Sequence, residues 1–120
     1  MARTTSPFPM SNIPGMSSLL TGLIAHWKMD EASWNGTSNE VIDSSGSNNH
    51  GTAVGGASTV SGKVGRAGSF NGSSNWVNLG NISMNFGTGP FSIAAWIKTT
   101  TSAMIISRQD DLNSHNPQVY

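Results

Sequence analysis

The chain contains no cysteine, so no disulfide framework and no thiolate-based zinc site can contribute to it. Charge is scarce as well: 10% of residues, against about 25% in typical domains. Six Lys and Arg offset six Asp and Glu, so no long-range field points to nucleic acid or to an anionic membrane. No apolar run reaches the ~18 residues of a membrane span. The best candidate, Leu19-Leu20-Thr21-Gly22-Leu23-Ile24-Ala25, is short and interrupted. It reads as the approach to a strand rather than as a signal peptide, and no membrane insertion is expected. No segment keeps a helical period. What fills the space is Gly, Ser, Asn and Thr, which supply 55 of the 120 residues and favour turns over helix interiors.

The length suits one domain with a modest core. Residues 1–21 carry Pro7, Pro9, Pro14 and Gly15 among Ser and Thr, and read as an irregular leader. From residue 22 onward the pattern is that of strands. In GLIAHWKMD, Leu23, Ala25, Trp27 and Met29 alternate with His26, Lys28 and Asp30, the period of a half-buried strand. Residues 31–51 read as loop, broken by Val41-Ile42. Thr52 to Val60 reads as one weak strand containing Gly55-Gly56, and Ser61 to Gly65 as a turn. Ala67, Ser69 and Phe70 lead into an Asn71-Gly72 turn signal. The next strand puts Val77 and Leu79 on one face and Trp76 and Asn78 on the other. FSIAAWIKTT, residues 91–100, is the clearest strand pattern of all, with Trp27 and Trp96 expected in the core. Ala103 to Ser107 reads as a strand, Arg108 to Pro117 as a polar turn, and Gln118-Val119-Tyr120 as the start of another strand. Short strands at this spacing predict an all-β antiparallel sandwich.

Four segments in order, GLIAHWKMDE, VIDSSGSNNHGT, GKVGRAGSFNGSSNWVNLG and FSIAAWIKTT, resemble the N-terminal half of a laminin G-like, concanavalin A-like jelly-roll domain. The resemblance covers about Gly22 to Arg108, and residues 22–120 are expected to form the N-terminal part of such a domain. The family implies two curved antiparallel sheets packed face to face, and a role as a binding module, often for glycans, in secreted, adhesive or virion proteins. SLLTGLIAHWKMDEAS is also similar, more loosely, to segments of phage and other virion-associated proteins. The family domain continues through further strands, so this chain is expected to represent an incomplete sandwich. Exposed apolar faces and unpaired edges would then favour self-association or pairing with the remainder of the domain.

The resemblance also implies a structural calcium ion near the end of the first strand, with Asp30, Asp43 and Asn48 at the matching positions; calcium takes six to eight oxygens at flexible geometry. The residues alone support a second account. Asp43 can cap its own loop through an Asx turn onto Ser45 or Gly46, and Asp30 can accept backbone N–H groups. Trp76 beside Asn78, and Trp34 in a Gly/Asn loop, are candidate glycan contacts, because sugar C–H faces stack on indole. The plainer account is that they pack against the protein, between the sheets or under a loop. His50 has no partner at ligand spacing and reads as a loop histidine bonded to backbone. GASTVSGKV fails as a phosphate loop, since five residues separate Gly56 from Gly62 and Val64 stands where Ser or Thr is required. Asn-x-Ser/Thr sequons at Asn35, Asn71 and Asn81 are expected by chance in so Asn-, Ser- and Thr-rich a chain.

No catalytic residue is predicted. Glycosidases of this fold need a carboxylate pair across a cleft. Glu31, Glu40, Asp30, Asp43, Asp110 and Asp111 make no E-x-D-x-x-E strand pattern, and no serine has an activating motif. The expected function is a non-catalytic module that binds a glycan or a surface protein, in an extracellular, cell-surface or virion-associated setting. The alternative is a structural or adhesive element of a virion or surface assembly.

Overall fold

A computed structural model describes residues 21–80, 88–111 and 114–119. Apart from Thr21, the leader lies outside these residues, as does Asn81. The described residues contain six strands and no helix, so they are all-β. They are β1 (Thr52–Val54), β2 (Ser58–Ser61), β3 (Arg66–Ser69), β4 (Trp76–Asn78), β5 (Ile106–Asp111) and β6 (Ser114–Val119). Every pairing is antiparallel. One sheet has the order β1-β4-β6-β5 and the other is the hairpin β2-β3.

The weak strand expected over residues 52–60 is two strands. Gly55 and Gly56 divide it, with φ of 69° and 91°. That left-handed backbone favours glycine. A side chain at Gly55 would also collide with the Ser74 carbonyl. The turn expected at residues 61–65 is present and closes with Gly62 N–H donating to the Gly65 carbonyl at 2.9 Å.

β1 and β4 set the inside and outside of the larger sheet. Ala53 pairs with Val77, and both are buried; Trp76 pairs with Val54 and Asn78 with Thr52, and all four are half-buried. Val77 and Leu79 thus share one face, as their spacing predicts. The core is small: Trp34, Val41, Ala53, Ala57, Val77 and Leu79, with Trp27, Met29 and Phe70 packed against it. Gly51 admits the chain to this core. A Cβ there would lie 2.5 Å from Val77 Cγ1 and 3.0 Å from Leu79 Cδ2.

Several expectations are corrected. The alternation of GLIAHWKMD is real, with Leu23, Ala25, Trp27 and Met29 less exposed than their neighbours. It does not become a strand, because a single isolated bridge, Trp27 to Asp43, pairs it. The pattern at 91–100 forms no strand at all, and Trp96 is fully exposed rather than core. Alternation orients side chains but supplies no hydrogen-bond partner, and strands persist only when paired. Lastly, the polar turn expected at 108–117 is most of a hairpin. β5 pairs with β6 from Ile106–Val119 to Asp111–Ser114, and β6 also pairs with β4 at Val77–Val119 and Asn78–Gln118. Gln118-Val119 therefore closes a strand rather than opening one, and the strand expected at 103–107 begins at Ile106.

Candidate functional site

The loop after the first bridge is organised by one carboxylate. Asp43 is 5% exposed. Its Oδ1 accepts the His26 N–H and the Ser45 N–H, each at 2.8 Å. Its Oδ2 accepts the Ser45 hydroxyl at 2.8 Å and the Asn49 N–H at 3.0 Å. The Ser45 bond is the Asx turn read from sequence. The Asp43 N–H donates to His50 Nδ1 at 3.0 Å, so His50 is a loop histidine bonded to backbone. Asn49 completes the seam: its carbonyl accepts Trp27 Nε1–H at 2.7 Å and its amide donates to the Ile24 carbonyl at 2.8 Å. Burial opposes charge on Asp43, but the donors from His26, Ser45 and Asn49 outweigh it and hold its pKa at about 2.

Asp30 serves a different junction. Its Oδ1 accepts the Arg66 N–H at 2.8 Å, at the start of β3, and its carboxylate fills the space a side chain at Gly65 would need. The Arg66 guanidinium instead turns to Thr59, donating to its hydroxyl and carbonyl oxygens at 3.0–3.1 Å. Asn48 takes a left-handed backbone, φ 58°, within the loop. No shared hydrogen-bond partner joins Asp30, Asp43 and Asn48. Two bonds on each oxygen fill the lone-pair positions of the Asp43 carboxylate. A calcium ion bound there would have to displace N–H or O–H donors, so the donor set as folded fits capping and not coordination. Asp30 Oδ2 accepts no hydrogen bond from the described residues.

Two glutamates order the preceding loop, a role that the sequence reading missed. Glu31 accepts Trp34 Nε1–H at 2.9 Å and the Ile42 N–H at 3.0 Å. Glu40 accepts the N–H groups of Asn35 and Gly36, each at 2.7 Å. The effect falls on Trp34, which is 7% exposed and packs on Phe70 with ring centroids 6.3 Å apart. Trp34 is thus a core residue, not an indole held out to a ligand. Its remaining edge lines a depression of about 310 Å³ with Asn35, Gly36, Ala53, Gly55 and Ser58. The only advance signal was the placement of Glu40 just beyond a Gly/Asn/Thr/Ser run whose amides need acceptors.

Trp76 and Asn78 stand on the outer face of β4. Across the strand pair they face Val54 and Thr52, so an indole, an isopropyl group, an amide and a hydroxyl form one half-buried patch. Asn78 Oδ1 accepts the Gly80 N–H at 2.8 Å, and its Nδ2 donates to no group among the described residues. Thr52 Oγ1 accepts the Asn39 N–H at 3.1 Å and keeps its own proton to donate. Comparison with known proteins adds no relative: no family model, curated protein or solved structure matches the chain significantly.

Proposed function

We propose that the chain is a non-catalytic binding module for carbohydrate, built as part of a laminin G-like β-sandwich of an extracellular or surface protein. The patch formed by Trp76, Val54, Asn78 and Thr52 carries this reading. An indole gives a sugar ring an apolar platform, and the adjacent Asn78 amide and Thr52 hydroxyl give donors for its oxygens. Full capping of Asp43, and the commitment of both Glu31 and Glu40 to hydrogen bonds that hold their own loop, support a binding role over an acid–base one. The Trp76→Ala variant should lose retardation in native gels containing glucan, xylan, mannan or galactan, with its β1–β4 pairing intact by circular dichroism. If the unaltered protein runs freely through all four gels, the glycan reading fails.

A second reading, as a structural or adhesive element of a surface assembly, draws on a different observation. Ile93, Trp96, Ile97 and Met104 are all more than half exposed. Such a stretch suits protein contacts. Sedimentation that shows concentration-dependent association, lost in Trp96→Ser, would favour it.

A further inference from the structure

We propose that Asn71–Gly72 is a self-modification site, at which the Gly72 amide nitrogen attacks the Asn71 side chain to give a succinimide, while the second Asn–Gly pair, Asn35–Gly36, is protected from the same reaction by Glu40. The two dipeptides have the same intrinsic chemistry and the same bond from the i+2 N–H to the Asn oxygen, but they differ at the glycine N–H, which is held by Glu40 at Gly36 and has no partner among the described residues at Gly72.

At Asn71 the side-chain oxygen accepts three backbone N–H groups: Ser73 at 3.0 Å, Ser74 at 2.9 Å and Asn75 at 3.1 Å. This Asx arrangement fixes the amide against the turn that Gly72 opens. Three donors aimed at one carbonyl oxygen polarise Cγ and are placed to hold the negative charge that builds there on attack. The nucleophile is unencumbered, since the Gly72 N–H donates to no group among the described residues. Both residues are exposed, and nothing lies within 4 Å of where a Gly72 Cβ would be. The leaving group is also attended: Asn71 Nδ2 lies 3.0 Å from Ser74 Oγ.

The atoms balance without a redox partner. The Gly72 N–Cγ bond forms as electrons move to Oδ1. Water takes the proton lost by the Gly72 nitrogen and returns one to Nδ2, whose hydrogen bond to Ser74 Oγ holds the amide in place, and the Cγ–Nδ2 bond breaks to release ammonia. Water then opens the ring at either carbonyl and leaves aspartate or isoaspartate.

At Asn35 the corresponding nitrogen is held. The Gly36 N–H and the Asn35 N–H each donate to the Glu40 carboxylate at 2.7 Å. The Asn35 oxygen is turned toward Thr37, accepting its N–H at 3.0 Å and its hydroxyl at 2.5 Å. Attack would have to break a charge-assisted pair that closes this turn. Modification at Asn71 has a structural consequence. The Asn71 N–H donates to Asn75 Oδ1, and Asn75 donates to the Gly55 carbonyl just before Trp76. An added charge and a lengthened backbone there would loosen the entry to β4.

The test is peptide mapping by mass spectrometry after incubating the folded chain at neutral pH in ¹⁸O-water. The expected result is conversion at Asn71 faster than at Asn35 by about tenfold or more, the ratio falling toward one in denaturant, where both pairs lose their surroundings. Glu40→Ala should raise the Asn35 rate and leave Asn71 unchanged. Glu40→Gln, with one acceptor oxygen retained, should give a smaller rise and serves if the alanine variant does not fold. Equal rates in the folded chain, faster conversion at Asn35, or an Asn35 rate indifferent to both Glu40 variants would overturn the proposal.

Discussion

Asp43 shows how much a single side chain can fix. It joins residues 26, 45 and 49 through four accepted hydrogen bonds. Its pKa falls from 3.8 to about 2 on folding, so protons bind more readily to the unfolded chain. The stabilisation is therefore complete above pH 3.8 and is lost as pH drops through about 2. Its size is on the order of 2–3 kcal/mol. Asp43→Asn keeps one acceptor oxygen but turns an N–H₂ toward the donors of Ser45 and Asn49. It should cost roughly 1–3 kcal/mol near pH 7 in urea unfolding. It should also flatten the acid limb of the stability–pH curve; a variant as acid-sensitive as the parent would remove Asp43 from this role. The Asx turn at Asp43 was legible because Asp followed by Ser-Ser-Gly favours it. The reach to His26 was not, since it spans 17 residues.

Strands differ in what made them. β4 is legible from its own residues: Val77 and Leu79 both point to the core and both are buried. Residues 91–100 have the stronger pattern, yet they lie outside every strand and are exposed. β5 and β6 have the weaker pattern, yet β6 is paired on both sides. A strand is thus a property of its neighbours as much as of its alternation. The energetic contrast follows. Leu79→Ala should destabilise by about 2–5 kcal/mol, because it empties a fully buried site. Trp96→Ser should change stability by less than about 0.5 kcal/mol, because its indole touches solvent alone. Paired urea titrations compare the two, and a large loss in Trp96→Ser would mean that the segment packs after all.

At the scale of the molecule, two small sheets and a core of six buried apolar residues among the described residues are joined by loops that hydrogen-bond heavily to themselves. Charged groups act in those loops as clamps: Asp30 on β3, Glu31 and Glu40 on the Trp34 loop, Asp43 on the seam to Ile24 and His26. In this design the chain's own N–H and O–H donors meet the loop carboxylates. The thermal midpoint should therefore be the same in EDTA and in millimolar calcium. A calcium-dependent rise that disappears in Asp30→Asn would instead assign the free Oδ2 of Asp30 to a cation.

Composition and alternation were enough to expect strands and no helix among the described residues, the turn at residues 61–65, a bend but not a hairpin at 71–72, the facing of Val77 and Leu79, and the capping capacity of Asp30 and Asp43. Each depends on a residue and its near neighbours along the chain, where local sterics and hydrogen bonding act. Folding alone settled that Trp34 is buried and Trp96 is not, that Gly55 must clear the Ser74 carbonyl, and that β6 lies between β4 and β5. Those outcomes turn on which distant backbone groups find partners, and a pattern of side chains carries no information about that until the chain closes on itself.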